Sequence, residues 1–259
     1  MLKVRKVQKV GISSILVTPH TSRTSHTWSS ICYHSPVRIL VLIAGTNEPS
    51  NSATLADAFA KGAAQVSATV EIMHLSELSL AHFTLDCYDN DHRDEADFVK
   101  LKEAILAADG IVIASPIWNF SVPAHLKNVL DRMGSFALDD KRIVGQLKGK
   151  PFFILLTGGT GMGVWTGLMR RTTSHLQAAI EFFGGTVLGK HFEPKCVGGK
   201  GVFTLVVDKR PESLAAVKRK GKAFAEVVGR YAEIGVLPMR KNLWHRIYQV
   251  AQKVLKKVG

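Results

Sequence analysis

An apolar run from Val37 to Ala44 passes straight into Gly45-Thr46-Asn47-Glu48-Pro49-Ser50-Asn51-Ser52-Ala53-Thr54-Leu55, where a helical pattern opens. A continuous branched run of this length reads as a buried strand of a parallel sheet. A strand, a turn of Gly, Ser, Thr and Asn, and then a helix start form the local architecture that captures phosphate. The helix N-terminus supplies N–H groups with no acceptor and partial positive charge, and the hydroxyls add donors. The turn has neither the Gly-Lys-Ser/Thr of a Walker loop nor a G-x-G-x-x-G fingerprint, and it carries no Lys or Arg. Neutral donors favour one phosphate monoester over a triphosphate. The structural alternative is an ordinary turn capped by Ser50 or Ser52.

Two further places repeat the pattern. Gly110 to Ala114 reads as a second buried strand, ending in Ser115-Pro116-Ile117-Trp118-Asn119-Phe120-Ser121-Val122-Pro123. Pro123 then opens a helix with Leu126, Leu130 and Met133 on one face. Two aromatics and two prolines at a strand end suit the edge of a flat ring. Pro151 to Leu156 reads as a third strand, followed by Thr157-Gly158-Gly159-Thr160-Gly161-Met162-Gly163, whose glycines let backbone approach a ligand. In open parallel sheets, ligands bind outside the carboxyl ends of strands, where all three loops fall.

Together these segments resemble the NADPH-dependent FMN reductase family, flavodoxin-like NAD(P)H oxidoreductases, over roughly Val37 to Gly235. The resemblance rests on G-T-x-x-x-S-N-S-x-x-L and on S-P-I-W-N-F-S-V-P-A-H-L-K-N-V-L-D-R, with T-G-G-T-G-M-G a looser match. It implies an α/β fold: a doubly wound, five-stranded parallel sheet in the order 2-1-3-4-5 with helices on both faces. It also implies a noncovalent FMN reduced by NADPH or NADH and reoxidised in a ping-pong scheme by a quinone, a flavin or a similar small acceptor. Carried over residue by residue, Thr46, Ser50, Asn51, Ser52 and Thr54 would hold the FMN phosphate. Pro116, Ile117, Trp118, Asn119 and Phe120 would flank the isoalloxazine, and Gly158, Gly159 and Thr160 would face its polar edge. Relatives of this kind commonly form homodimers or homotetramers. Because the cofactor performs the hydride chemistry, no catalytic acid or base is nominated. His125 reads as a first-turn residue near the site, and Asp131 and Arg132 as surface charges. The segment from Asp139 to Arg142 is a candidate cover for the ring or part of a subunit interface.

The net charge of +13 is concentrated at the ends. Six bases lie in residues 1–38 and six in 239–259, both without an acid, while the middle holds 22 bases against 21 acids. The basic balance therefore gives no ground for nucleic-acid binding. Cys32, Cys87 and Cys196 are too scattered for a disulfide scaffold or a cysteine cluster, and no metal is expected. Residues 1–36, basic and rich in Ser and Thr, read as a separate extension: an organelle transit peptide, a disordered arm, or residues upstream of the true start. The expected compartment is the cytoplasm, or an organelle if this segment targets one.

Residues 37–235 form the expected domain. Helices are predicted over Ser52–Gln65, Ala96–Ala108, Gly167–Phe183 and Pro211–Ala232, and further strands over Thr69–Leu75 and from Thr186. Val202 to Val207 is a candidate extra strand. Residues 236–259 contain a basic amphipathic helix, with Leu243, Ile247, Val250 and Val254 in a stripe bordered by Trp244 and Tyr248. Two readings stand: a helix on an anionic membrane surface, or one packed on the domain or on a partner subunit with a solvated basic face. Two other functions compete with the reductase: a flavodoxin-type electron carrier, disfavoured because this domain is larger and not acidic, and a cofactor-free interaction module of the same fold.

Overall fold

The computed structural model describes residues 36–88, 95–198 and 204–258. What the sequence suggests for residues 1–35 and for 202–203 lies outside them. Five strands make one parallel sheet in the order β2-β1-β3-β4-β5: β1 Arg38–Ile43, β2 Thr69–His74, β3 Gly110–Pro116, β4 Pro151–Thr157 and β5 Thr186–Glu193. This is the doubly wound flavodoxin-like arrangement.

The three central strands are buried on both sides, which is why they read as unbroken apolar runs rather than alternating ones. Successive side chains still go to opposite faces. Leu40, Leu42, Ile111, Ile113, Phe152, Ile154 and Leu156 face a core closed by α2 (Ala96–Ala107), α3 (Ala124–Ala137) and α6 (Ser174–Phe182). Ile39, Val41, Ile43, Val112, Ala114, Phe153 and Leu155 face a second core closed by α1 (Asn51–Ala63) and α7 (Pro211–Ile234). Phe59, Phe153 and Phe224 form a ring cluster there, with centroids 4.9, 5.6 and 5.9 Å apart.

α1 and α7 approach to backbone contact. A Cβ added to Gly62 would lie 1.9 Å from the Lys218 carbonyl oxygen, and one added to Gly221 would lie 2.0 Å from that of Phe59. Only glycines allow this crossing, and it fixes how far α1 stands from the sheet.

Three sequence expectations are corrected. Arg132 is not a surface charge: it is fully buried, its guanidinium forking onto Glu95 at 2.9 and 2.5 Å, donating to the Ala81 carbonyl and lying 4.0 Å over the Phe98 ring. The helix expected over Gly167–Phe183 begins earlier and is broken. It comprises α4 (Met162–Val164), a π turn at Trp165–Met169, α5 (Arg170–Thr172) and then α6, which ends at Gly184 with φ +82°. Residues 204–206 form no strand, and Val207 opens a short 3-10 turn instead.

The last helix, α8 (Met239–Val258), lies at the end of the sheet where the strands begin. Gln252 donates to the Phe182 carbonyl and accepts from the Gly145 N–H, His245 lies against Gly149, and Lys256 pairs with Asp139. The Asp139–Arg142 segment therefore sits at the pole opposite the loops that follow β1, β3 and β4 and does not cover them; Arg142 lies instead over the Tyr88 ring, at 4.1 Å. Burial opposes ionisation of Asp139, but the Lys256 ammonium and the N–H groups of Val144 and Ile143 outweigh it and hold the carboxyl at about 2. The stabilisation from this group is complete above the ordinary carboxylate value of 3.8 and is lost as pH falls through about 2.

Two measurements follow from this packing. Gly221→Ala forces α1 and α7 apart and should cost about 1–3 kcal/mol in urea unfolding. Thermal melts should show that Asp139→Asn flattens the stability profile between about pH 4 and pH 2 relative to the native chain.

Candidate cofactor site

The loops after β1, β3 and β4 meet at the carboxyl edge of the sheet, on either side of the strand-order reversal between β1 and β3. Two connected spaces open there. One is a small recess at the start of α1, lined among others by Gly45, Asn47, Ser50, Ser52, Gly159 and Thr204. The other is a cleft of about 790 Å³ bounded by Trp118, Phe120, Gly159, Thr160, Leu168 and Val197.

The recess is built on two hydroxyls. Ser50 caps α1 by accepting from the Ala53 N–H at 3.3 Å, and its Oγ lies 3.0 Å from the buried Ser52 Oγ. Gly45 makes room for both, since a Cβ there would fall 2.3 Å from Ser52 Oγ and 2.6 Å from Ser50 Oγ. None of the described residues lining the recess is acidic or basic. Cys196 also contributes to its wall, and burial pushes its thiol up to about 11, so it remains neutral at physiological pH. Among the described lining residues nothing charged competes with an anion at the helix N-terminus.

Asn51 has a different part from its neighbours. Its side-chain amide donates to the Thr204 carbonyl at 2.9 Å, and its oxygen accepts the N–H groups of Val206 and Val207 at 2.9 and 3.1 Å. The side chain is spent on holding the 204–207 segment against the recess, which leaves Asn51 only its backbone N–H to offer. Thr54 lies a turn further in, its hydroxyl donating to the Ser50 carbonyl, and Thr46 is exposed beside the turn; neither lines the recess.

The β3 loop closes as a two-residue hairpin. The N–H and C=O groups of Trp118 and Ser121 pair in both directions at 2.8 and 2.9 Å, which puts Asn119 and Phe120 at the tip with φ +48° and +66°. Pro116, Ile117 and Trp118 line the recess, and Ile117, Trp118, Asn119 and Phe120 line the cleft, the Phe120 ring being 59% exposed. The β4 loop is anchored from below. The Gly158 N–H donates to the Glu193 carbonyl, and its own carbonyl accepts from the Cys196 N–H. Glu193 is itself held by Arg210 at 2.7 Å and Ser213 at 3.1 Å. His125 is not a mere surface residue: its Nε2 lies 2.8 Å from the Ala44 carbonyl, latching α3 to the end of β1.

Several lining residues were missed in the sequence. Cys196, Val197 and Thr204 arrive from beyond β5, and Val164, Leu168 and Met169 from the broken helix. The rule that selected three loops applies equally to the loop after β5, so Cys196 and Val197 were within reach of it.

A phosphate-sized recess of neutral donors opening into a flat, aromatic-edged cleft defines a flavin-mononucleotide type of binding protein on a flavodoxin-like sheet. The sequence profile of the NADPH-dependent FMN reductase family matches residues 37–192, and the chain belongs to that family. It is an FMN-dependent oxidoreductase that draws on NADPH or NADH. Among its relatives, an FMN-dependent NADH:quinone oxidoreductase of Gluconacetobacter diazotrophicus is 29% identical over 47% of this chain and 68% of its own length. A quinone reductase of Escherichia coli K12 is 36% identical over 43% of this chain and 54% of its own length. An NAD(P)H:quinone oxidoreductase from Methanothermobacter marburgensis shares the fold at a TM-score of 0.58 and 20% identity, covering 73% of this chain and 98% of that one. An FMN-dependent NADH-azoreductase from Bacillus anthracis, solved with FMN, gives a TM-score of 0.52 and 17% identity over 74% and 99%.

Asn51→Ala would leave the N–H groups of Val206 and Val207 without their acceptor. It should cost about 1–3 kcal/mol of stability and raise amide hydrogen exchange at those two positions above the native rate.

Proposed function

We propose that this protein is an FMN-containing NAD(P)H:acceptor oxidoreductase whose electrons go to a quinone or a similarly small, flat acceptor. The observation that carries the site assignment is the uncharged recess at the start of α1, cleared by Gly45 and continuous with the cleft beside Trp118. The donor set fits FMN: hydroxyls and helix N–H groups suit a phosphate monoester, and apolar ring faces suit a tricyclic ring.

When bound, FMN supplies two-electron chemistry, taking hydride from NADPH or NADH and releasing electrons to the acceptor in a separate half-reaction. The protein binds and orients. Ser50, Ser52 and the first-turn N–H groups, Asn51's among them, would hold the phosphate, and Thr46 and Thr54 would support the turn around it. Pro116, Ile117, Trp118, Asn119 and Phe120 would flank the ring. Both backbone polar groups of Gly158 are committed below the loop, so donors to the ring's polar edge would come from Gly159 and Thr160, with Gly158 supplying closeness. The breadth of the cleft would let nicotinamide and acceptor occupy the same ring face in turn. The names of the quinone reductases among the relatives support the choice of acceptor.

The apolar cleft rim, with Phe120, Met162, Val164 and Leu168 exposed, supports burial under a second copy in a homodimer or homotetramer. We read residues 37–235 as the catalytic domain and 1–36 as an appended segment. The enzyme would act in the cytoplasm, or in an organelle if that segment is a transit peptide. Among the described residues, no helix is long and apolar enough to cross a membrane.

The visible spectrum of the purified protein under anaerobic NADPH tests the reading. A flavin spectrum that bleaches supports it, whereas flavin that NADPH leaves oxidised points to an electron carrier. A colourless protein that takes up no FMN points to a cofactor-free module. Ser50→Asp sets a carboxylate against the phosphate and should strip the flavin while leaving the circular dichroism unchanged; stoichiometric flavin retained in this variant overturns the phosphate assignment.

A further inference from the structure

The apolar stripe of α8, for which two readings stood, is not packed on the domain: it is the helix's outer face. Leu243, Ile247, Val250 and Val254 are between 51% and 62% exposed, and Trp244 and Leu255 lie exposed beside them. The helix holds the domain through its polar side instead, by His245, Gln252 and Lys256. At 3.6 residues per turn, the exposed apolar side chains span an arc of about 140°. Arg246, Lys253 and Lys257, all exposed, line one flank of that arc, and Arg240 stands at its beginning. Ile234, Val236 and Met239, also exposed, add apolar surface at the corner between α7 and α8.

A soluble domain rarely leaves a contiguous apolar helix face in water without a partner for it. The charges indicate which partner. Residues 239–259 hold six bases and no acid. Face-to-face pairing with a second copy would join two helices that carry cations alone. A nucleic acid would answer the cations and leave the stripe wet. An anionic lipid surface answers both, since the acyl boundary takes up the stripe while the headgroups neutralise the flank.

We propose that α8 is an interfacial anchor, lying in the plane of an anionic bilayer with Leu243, Ile247, Val250 and Val254 sunk into it. The helix is already folded and seated before it meets the membrane. It lies at the pole opposite the cofactor cleft, so docking leaves the cleft open to water.

Vesicle flotation of the full-length protein tests the anchor, using vesicles of phosphatidylcholine with 30% phosphatidylserine against phosphatidylcholine alone. Strong partition to the anionic vesicles is expected, weakening in high salt as the surface charges are screened. Replacing Arg246, Lys253 and Lys257 by Gln should lower partition about fivefold for each base removed. The pair Ile247→Asp and Val254→Asp should abolish it while flavin content and NADPH oxidation stay at the native level. Failure of the native protein to float overturns the proposal. So does undiminished flotation of the Asp pair, which would assign lipid binding to the basic N-terminal segment. A native oligomer that the Asp pair converts to monomers in the absence of lipid also overturns it, because a second copy would then cover the stripe.

Discussion

Everything at the site depends on where α1 is held. Its N-terminus can offer phosphate donors only if the helix meets the end of β1 at one distance and one tilt, and three contacts set both. Gly45 lets the turn close over the Ser50 and Ser52 hydroxyls. Gly62 and Gly221 bring α7 onto the far end of α1 at backbone contact. Asn51 ties the first turn to residues 204–207, a segment more than 150 positions along the chain. Each contact is short-ranged and unforgiving, because each relies on an absent Cβ or on a fully committed amide. The site is rigid for the same reason: its donors are backbone groups and short side chains with few rotamers to lose on binding.

The fold was legible because a strand buried on both faces must be apolar throughout. The three central strands are such runs, and each is followed by a turn whose composition reports the ligand side of the sheet. The edge strand β2 was also expected, over Thr69–Leu75, and runs over Thr69–His74. Local pattern could not reach several other features. The fate of Arg132 was decided by Glu95 and Phe98, on another element, and a helical charge says nothing about such a partner. The π turn ahead of α5 begins at Trp165, whose ring stacks on Phe192 at 4.2 Å, a contact invisible to periodicity. Asn51 was read from its place in the turn after β1, yet the work of its side chain depends on Thr204, Val206 and Val207. For α8, the hydrophobic period identified a stripe but carries no information about which way the stripe faces.

Charge divides the molecule into two regimes. The recess relies on dipoles and neutral donors in a protected space, where salt has little to screen. The terminal segments carry nearly all the excess positive charge, and on α8 Arg240, Arg246, Lys253 and Lys257 are exposed, where ionic strength acts strongly. The near-neutral domain between them explains how a basic protein has a recess whose described lining is uncharged: attraction for a phosphate, as proposed, would come from helix geometry.

The hairpin tip after β3 places a phenylalanine in the left-handed region, at φ +66°. For a bulky side chain this conformation costs on the order of 1–3 kcal/mol, which glycine would not incur. The fold would be easier to make with Gly at position 120, so the aromatic group there works against stability. Variants selected for heat resistance alone should drift toward glycine at this position; where the ring flanks the flavin as proposed, variants selected for turnover should keep it. The identity of residue 120 would then report which of the two demands had shaped a given sequence.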